Sequence, residues 1–415
     1  MRSQQKKKNK RKFKRYLILC LALLVAITIG MISKGIKGDT AGNVVSPFEK
    51  NKEIDLSITC VGDVMLHMPQ INAAYKSKTK EYNYDDNFEY VAKYIKNADL
   101  ALCNMEVTFP LKPYQGYPAF RVPDALATAV SKAGFDVALT SNNHMNDSGA
   151  DGLKRTAKVL KKEGLKVTGS RIDKEQKNYV VTEVKGVKVG VVSYTYANSA
   201  NNNSVSINGN PLYGEDKVLA NYFTASNIDE DLKRINKTVK AAEADGAELI
   251  ILYYHWGEEY KTSPNELQKK IAKASAKMNV DIIYASHPHV LQNVDVIKVK
   301  DKDGKIKKEV PIYYSMGNFI SNQNRHTLNN KLTEIGVLAG IDCTYDQKLD
   351  KITSFKFNAV PTWVNVYYKE GKRKYVVIPL DDKIKSNKSI KESGNANLAI
   401  KAREDGYEIL GINKD

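Results

Sequence analysis

The stretch Leu56-Ser-Ile-Thr-Cys-Val61-Gly62-Asp63 is a short apolar run that ends in a glycine and a carboxylate. Its β-branched and apolar residues predict a buried strand, and Gly62 predicts a turn at the carboxyl end of that strand. In α/β proteins, ligands bind outside the carboxyl ends of the strands. Asp63 is therefore a candidate ligand for a metal ion or a phosphate group, although Gly-Asp pairs also cap helices.

Similar apolar runs recur along the chain and alternate with stretches of helical periodicity. The predicted strands are Leu56–Val61, Leu100–Asn104, Val137–Thr140, Tyr179–Val184, Lys188–Tyr194, Leu249–Tyr254, Asp281–Ala285, Pro311–Ser315 and Ile335–Thr344. The predicted helices are Phe88–Asn97, Pro123–Ala133, Gly149–Glu163, Ile228–Asp245 and Pro264–Met278. This alternation predicts an α/β fold with strands buried between helices. The later strands follow one another without helices, which predicts a more antiparallel second half.

The length of 415 residues favours one large domain with appendages, which we place at residues 55–380. Residues 34–54 are mixed in composition and predict a stalk. Residues 195–227 are rich in asparagine and break the rhythm of the elements. A loop this long is either functional or a solvated surface insertion. Residues 381–415 are polar and predict a tail with weak structure signals.

The formal net charge of +17 is concentrated at the start of the chain. Residues 1–15 contain nine Lys and Arg and no acid, which leaves +8 spread over the other 400 residues. A nucleic-acid-binding protein would show a basic stripe with interleaved aromatic residues, and this sequence has no such stripe. We therefore predict no nucleic-acid partner.

The basic segment is followed by an apolar, uncharged run at residues 16–33, whose length is close to the lower limit for crossing a bilayer. The charge asymmetry predicts a single-pass signal-anchor with a cytoplasmic N-terminus and an extracellular main domain on the bacterial cell membrane. A cleaved signal peptide is the alternative, but its apolar core is usually shorter. Cys20 lies too early in the run for a lipoprotein. Cys60, Cys103 and Cys343 lie in apolar runs without paired spacing, which predicts buried free thiols.

Five of the six histidines stand at the ends of apolar runs, and this placement predicts that they converge on one site. Polar residues at other strand ends join them as candidate ligands. The candidate metal ligands are Asp63, Glu106, Asn143, His255, His287 and His289. Mixed oxygen and imidazole donors suit Mn, Fe or Zn better than Ca. His144, which follows Asn143, is a candidate acid or base.

The motifs occur in a fixed order along the chain. They are Gly-Asp-Val-Met-Leu (62–66), Asn-Met-Glu (104–106), Ser-Asn-Asn-His (141–144), His-Trp-Gly-Glu-Glu-Tyr (255–260), His-Pro-His-Val-Leu (287–291) and Tyr-Ser-Met-Gly-Asn-Phe (314–319). This series resembles the capsule-synthesis CapA family over roughly residues 54–345. That family is associated with poly-γ-glutamate synthesis and export and is similar to the calcineurin-like metallophosphoesterases.

The resemblance implies a metallophosphoesterase-like layered αββα sandwich that holds two divalent ions. Asp63 would bind one ion, and His289 would complete its ligands. Glu106 would bridge both ions. Asn143, His255 and His287 would hold the second ion. The resemblance further implies that His144 faces the substrate as the catalytic residue.

Three positions depart from the phosphoesterase pattern. Met65 occupies the place where these enzymes usually have a histidine, and His67 stands two residues further on. Glu106 replaces a bridging aspartate, and its longer arm changes the spacing of the ions. Ser286 replaces the usual glycine before the His-x-His pair. These departures favour metal binding over a fully competent phosphatase.

Four residues are further candidates for substrate binding: His67, Trp256, Asn318 and Arg325. Trp256 can stack on a substrate or form a structural wall, and Arg325 can clamp an anionic group or lie solvated in a loop. Glu258 and Glu259 either orient His255 or are surface acids.

Three functions agree with these patterns. The first is a metal-dependent hydrolase or transferase acting on an envelope polymer. The second is a non-catalytic part of a capsule-polymer assembly, which would hold an anionic chain such as poly-γ-glutamate, with a membrane synthase complex as partner. The third is a structural protein with a vestigial site, which the otherwise complete ligand set argues against.

Overall fold

The computed structural model describes residues 53–412, which form the predicted α/β fold. The strands are β1 (Glu53–Val64), β2 (Tyr75–Lys76), β3 (Glu81–Tyr82), β4 (Leu100–Met105), β5 (Val137–Leu139), β6 (Lys166–Thr168), β7 (Tyr179–Val184), β8 (Val187–Ala197), β9 (Ser199–Ala200), β10 (Ser204–Ile207), β11 (Asn210–Tyr213), β12 (Tyr222–Thr224), β13 (Leu249–His255), β14 (Ile282–Ser286), β15 (Val294–Lys300), β16 (Ile306–Tyr313), β17 (Asn318–Ile320), β18 (Ile335–Asp346), β19 (Lys351–Lys369) and β20 (Lys372–Pro379). The helices are α1 (Met68–Ala74), α2 (Asp85–Phe88), α3 (Ala92–Asn97), α4 (Ala125–Ala133), α5 (Gly149–Lys162), α6 (Ile228–Ala244), α7 (Glu266–Ala276), α8 (Lys388–Ser393) and α9 (Ala396–Leu410).

Two large sheets organise these elements. The first has the order β20-β19-β18-β1-β4-β5-β6, with β17 beside β1. The second has the order β12-β8-β13-β14-β16-β15, with β7 beside β8. Apolar side chains from both sheets form one buried core, including Ile58 and Leu102 from the first sheet and Val191 and Ile251 from the second. The two sheets therefore pack face to face.

Helices cover the other face of each sheet. Leu126 of α4 and Leu160 of α5 belong to the same buried cluster as Ala101 of the first sheet. Ile235 of α6 and Ile271 of α7 pack in a separate cluster with residues of the second sheet. The layers are thus helix, sheet, sheet and helix, because each sheet has two apolar faces and needs a partner on both.

Parallel pairing brings several strand ends together. Strand β1 runs parallel to β4, β4 runs parallel to β5, and β13 runs parallel to both β8 and β14. The carboxyl ends of neighbouring parallel strands lie at the same edge of a sheet. The predicted antiparallel character of the second half is also present, since β15 pairs with β16 and β18 to β20 form an antiparallel series.

Residues 381–415 differ from the predicted polar tail with weak structure signals. Helix α9 lies in this segment, and its residues Ala399, Ala402 and Leu410 are buried in the same apolar cluster as side chains of the two large sheets. Gly406 approaches Pro361 so closely that an added Cβ would lie 2.9 Å from the proline side chain. The apolar residues recur at helical spacing, but the surrounding Lys and Asn residues hide this pattern in the composition.

The asparagine-rich segment 195–227 is also more ordered than a loop. It contains the small sheet β11-β10-β9 and a 3-10 helix at Gly214–Leu219. Val205 and Ile207 pack in a cluster with Met145 and Leu153. This insertion therefore packs against the segment that carries His144.

Several predictions concern residues that lie outside the described range. The basic segment 1–15, the signal-anchor 16–33 and nearly all of the stalk 34–54 fall there. Between residues 53 and 412, no helix has the length and apolar character needed to cross a membrane. Cys60, Cys103 and Cys343 are buried free thiols, as predicted.

Candidate metal centre

The strand ends bring the six predicted ligands to one buried place. Each of these residues lies at the end of a strand or just after it, and each side chain is at most 4% exposed. The six residues are Asp63, Glu106, Asn143, His255, His287 and His289. The first three come from the first sheet, and the three histidines come from the second. The site therefore lies where the two sheets meet.

Asp63 depends on a close approach between two backbones. Its N–H donates to the carbonyl oxygen of Gly317 at 3.0 Å. A Cβ added to Gly62 would lie 1.9 Å from that same oxygen, so residue 62 has to be glycine. This contact holds β1 beside β17 and fixes the direction of the Asp63 side chain.

The Asp63 carboxylate is surrounded by polar partners. Nδ1 of His289 lies 2.9 Å from its Oδ2, and Nδ2 of Asn104 donates to its Oδ1 at 2.8 Å. Ser286 donates from Oγ to the same Oδ1. Burial alone would raise the pKa of Asp63, but the hydrogen bond and the charge of His289 outweigh it and hold the pKa well below its usual value. Asp63 is therefore held as an anion.

Glu106 lies between two histidines. Its Oε1 is 3.7 Å from Nε2 of His255 and 3.9 Å from Nε2 of His289. That Oε1 is buried and has no hydrogen-bond partner among residues 53–412. Burial and the nearby charge of Asp63 raise the pKa of Glu106 well above its usual value. A buried carboxylate in this position is costly unless a cation compensates it.

The imidazoles of His255 and His287 are held in their neutral form. Nε2 of His255 lies 2.9 Å from Oδ1 of Asn143, while its Nδ1 lies 3.1 Å from the Tyr253 hydroxyl. Burial and the charge of His287 lower the pKa of His255 well below its usual value. Burial and the charge of His289 lower the pKa of His287 to about 3. Neutral imidazole is the form that binds metal ions.

The donor set fits divalent metal ions. Ligand atoms of Asp63, Glu106 and His255 all lie within 4.8 Å of one another. Two ligands that bind one ion at about 2.0–2.2 Å each stand at most about 4.4 Å apart, so small side-chain movements would suffice. Among the described residues, Oε1 of Glu106 and Nδ1 of His287 are buried polar atoms without a hydrogen-bond partner, and a bound cation would give both a partner.

The His-Pro-His segment is strained. His287 has φ 104° and His289 has φ 57°, and both values lie in the left-handed region. Such backbone costs on the order of 1–3 kcal/mol per residue and is concentrated at functional sites. The strain turns both imidazoles towards the same centre although they are only two residues apart.

His144 is held by an aspartate that the sequence reasoning missed. Its Nδ1 lies 2.8 Å from Oδ2 of Asp147, and both side chains are buried. Asp147 also accepts a hydrogen bond from the N–H of Phe120 at 2.7 Å, and the Phe120 ring packs edge-on against His144. This leaves Nε2 as the remaining ring nitrogen of His144 for a ligand.

A cavity of about 380 Å³ opens beside the centre. His67, His144 and His289 line it together with the aromatic side chains of Tyr117 and Tyr260. Its volume lies in the range of small-molecule sites. His67 thus lies where the sequence placed it, next to the candidate centre.

Two of the candidate substrate-binding residues, Trp256 and Arg325, have side chains that bind to other parts of the protein. Trp256 is 1% exposed, stacks on Tyr254 and Tyr314, and donates from Nε1 to the Tyr314 carbonyl, so it packs in the core. Arg325 forms a bidentate ion pair with Glu334.

Asn318 contacts His289, one of the candidate metal ligands. Its Nδ2 donates to the Thr333 carbonyl at 3.0 Å, and its Oδ1 lies 3.1 Å from Nδ1 of His289. Asn318 therefore positions His289. Of the two roles left open for Glu258 and Glu259, their exposure favours surface acids over orientation of His255. The contact to Nδ1 of that histidine comes from the Tyr253 hydroxyl.

Asn104 also escaped the sequence reasoning, although it opens the Asn-Met-Glu motif. Its Nδ2 contacts both Asp63 and Glu106 and thereby holds two carboxylates beside each other. Tyr253 carried no signal because it lies inside an apolar strand. Asp147 stood in a polar run after His144, at the spacing of one helical turn, and that spacing could have identified it.

Comparisons with known proteins identify the family of this chain. The pattern of the family described as bacterial capsule synthesis protein PGA_cap matches residues 57–323. The chain is 32% identical to the capsule biosynthesis protein CapA of Bacillus anthracis over 326 residues, which cover 76% of this chain and 71% of the relative. It is 25% identical to the PGA biosynthesis protein CapA of Bacillus subtilis strain 168, with 76% and 75% covered.

Solved structures are more distant. A phosphatase from Mycoplasma pneumoniae matches with 13% identity and a TM-score of 0.40, covering 74% of this chain and 94% of its own. The calcineurin-like phosphoesterase YfkN from Bacillus subtilis matches with 12% identity and a TM-score of 0.36, covering 86% and 98%. The family match spans most of the chain and contains all six candidate ligands, so the chain belongs to the bacterial capsule synthesis protein PGA_cap family.

Proposed function

We propose that this chain is a membrane-anchored, extracytoplasmic protein of capsule or poly-γ-glutamate synthesis or export, and that it acts through a hydrolase-like centre holding two divalent ions. The observation that carries the proposal is the meeting of Asp63, Glu106 and three neutral or anion-paired histidines at one buried point. Mn, Fe or Zn suits this mixture of carboxylate and imidazole donors.

Each side chain has a role in this proposal. Asp63 and Glu106 would supply the negative charge that holds the ions, and Glu106 would lie between them, since its Oε1 is near both His255 and His289. Asn143 adds a neutral oxygen. The ions, when bound, would lower the pKa of a water molecule and polarise an anionic ester or an amide carbonyl.

The catalytic role falls to His144. Asp147 fixes its ring through Nδ1, so Nε2 is presented to the cavity and can give a proton to a leaving group or steady a developing charge. Its burial against Phe120 excludes water from one side of the ring. His67 lies in the same cavity and would contact the substrate.

The substrate and location rest on other arguments. The basic segment before the apolar run at 16–33 supports an anchor in the bacterial cell membrane with the main domain outside. Relatives named for capsule and PGA biosynthesis support an anionic envelope polymer such as poly-γ-glutamate as the partner. A membrane synthase complex as the source of that polymer is part of the proposal through the family resemblance alone.

A non-catalytic scaffold is the second candidate, and one observation favours it. Met65 is 1% exposed and lines the cavity at the position where the related phosphoesterases usually have a histidine. A thioether in place of an imidazole removes one ligand, and the centre would then hold an anionic chain without cutting it.

Complementation tests the proposal. A producing strain that lacks the protein receives the full-length chain as wild type, His255→Ala or His326→Ala. His326 is the exposed sixth histidine, so its variant is a matched control. We expect polymer output to be restored by wild type and His326→Ala and to fall at least about tenfold with His255→Ala, since a lost ligand weakens metal binding.

Two other measurements complete this test. Equal amounts of protein in the membrane fraction must be shown for all three chains. Purified wild type is then assayed on a model phosphodiester and on poly-γ-glutamate. Turnover that His255→Ala abolishes supports the enzyme, whereas restored output without turnover supports the scaffold. Full polymer output from correctly localised His255→Ala contradicts both.

A further inference from the structure

We propose that Glu259 is a ligand of the more exposed of the two ions, together with His287 and His289. The inference rests on the proposed metal centre and adds to it a residue that sequence reasoning left as an orienting or surface acid. It also divides the centre into a buried site and an outer site with different properties.

The first support is distance. Ligand atoms of Glu259, His287 and His289 lie within 4.8 Å of one another, and so do those of Asp63, Glu106 and His255. The two groups share no residue, and they divide the histidines differently from the family-based expectation, in which His289 joins Asp63 and His287 joins His255. Side chains that bind one ion at about 2.0–2.2 Å stand at most about 4.4 Å apart, so small side-chain movements would let each group hold an ion.

The second support is an unsatisfied buried nitrogen. His287 is 4% exposed, and its Nδ1 has no hydrogen-bond partner between residues 53 and 412. Its ring lies 4.8 Å from that of His255 and 4.8 Å from that of Tyr196, measured between ring centroids. A buried polar atom without a partner destabilises the folded protein, and a ligand bound at His287 would give this nitrogen a partner.

The backbone ties Glu259 to this histidine pair. The N–H of Tyr260 donates to the Pro288 carbonyl at 2.7 Å, and the N–H of Trp256 donates to the Ser286 carbonyl at 3.1 Å. Tyr260 has φ 66°, a left-handed value that a non-glycine residue adopts at a cost. These contacts hold the loop 256–260 against the His-Pro-His segment.

The side chain of the adjacent acid, Glu258, forms a hydrogen bond outside the candidate metal centre. Its Oε1 accepts a hydrogen bond from Nδ2 of Asn265 at 3.2 Å. Asn265 also caps α7 by accepting from the N–H of Gln268 at 2.9 Å. The side chain of Glu259 instead forms a hydrogen bond with Tyr260 at the edge of the cavity, so Glu258 offers a matched control.

Charge supports the same assignment. Two divalent ions bring four positive charges, and the buried Asp63 and Glu106 supply two negative ones. Glu259 adds a third at the outer side of the centre, where the site opens to the cavity. Because Glu259 is exposed, we expect the outer ion to exchange with solvent faster than the buried ion.

Manganese binding to the purified full-length chain, kept in detergent throughout, tests the assignment. Wild type, Glu259→Gln and Glu258→Gln are stripped with chelator and titrated with Mn²⁺ alone by calorimetry, and the bound ions are examined by electron paramagnetic resonance. We expect two sites and a spin-coupled pair in wild type and Glu258→Gln. Glu259→Gln should keep one tight site, lose the coupled signal and bind the second ion at least about tenfold more weakly.

The outcomes separate this inference from the proposed function. Wild type that binds no Mn²⁺ overturns the metal centre and the Glu259 assignment together. Wild type with two sites, and Glu259→Gln with the same two affinities and the same coupled signal, overturns only the assignment. Circular dichroism and the melting temperature confirm that each variant is folded, since the exposed position of Glu259 makes a folding defect unexpected.

Discussion

Replacing Glu106 by glutamine should change the stability of the metal-free and the metal-loaded protein in opposite directions. Glu106 is fully buried beside Asp63, and its Oε1 has no hydrogen-bond partner within the described chain. Glutamine keeps the shape and removes the charge. Its carbonyl oxygen can still accept the hydrogen bond that Asn104 donates to Oε2 at 3.3 Å.

The magnitudes follow from these contacts. Because the pKa of Glu106 is raised by burial, folding of the metal-free protein at neutral pH requires this carboxylate to take up a proton, and glutamine avoids that cost; metal-free Glu106→Gln should therefore be between equal to and about 2 kcal/mol more stable than metal-free wild type. At an ion concentration one hundred times the Kd, each bound ion stabilises wild type by about 2.7 kcal/mol. The variant lacks the bridging anion and should lose most of that gain.

Thermal unfolding of the full-length chain, with chelator or with excess Mn²⁺, measures both effects. Two ions together give about 5.4 kcal/mol, which for a domain of this size corresponds to a rise in melting temperature of roughly 7 °C. We expect that rise in wild type and less than half of it in Glu106→Gln. A variant that is strongly destabilised without metal, yet gains the full rise with metal, would refute the reasoning.

Two further predictions concern residues around the centre. Asp147→Asn should lower the turnover of a substrate by about 10- to 100-fold and leave the metal content unchanged, because His144 loses its orienting partner. The control variant Asp151→Asn, on the exposed surface, should have no effect on turnover in the same assay. Arg325→Ala should destabilise the protein by about 1–3 kcal/mol at neutral pH and leave metal binding intact, because Arg325 pairs with Glu334 rather than with a substrate. Burial would raise the pKa of Glu334, but the hydrogen bonds from Arg325 outweigh it and lower the pKa. The difference in unfolding free energy between wild type and Arg325→Ala, measured by denaturant titration, should therefore shrink as the pH falls below about 4 and Glu334 becomes protonated. A difference that persists at lower pH would argue against the ion pair.

The α/β class could be predicted because its strands are short, apolar and separated by amphipathic helices. Strand β7 has the predicted bounds, and β13 is one residue longer than predicted. Strand β19 was missed because its first half alternates Lys, Ser and Asn with apolar residues and is largely exposed. Helix α9 was missed for the same reason, since its buried residues are small and lie among charged ones.

The site residues that lie at the ends of apolar strands could be predicted from the sequence. Asp63 and His255 follow apolar runs, and a polar residue at such a place is informative without any knowledge of pairing. Contacts between distant elements gave no such signal. Asn318 was a candidate for substrate binding, but its contact with His289, 29 residues away along the chain, could not be predicted; nor could the stacking of Trp256 on Tyr254 and Tyr314, which selects the structural wall from its two predicted roles.

The most direct test of the central claim is anomalous X-ray diffraction from crystals grown with Mn²⁺ or Zn²⁺ and recorded on both sides of the metal absorption edge. The account predicts two anomalous peaks in contact with Glu106, one beside Asp63 and one beside His287. Crystals that diffract well, contain excess metal and show no peak among these side chains would contradict the metal centre and every function proposed from it.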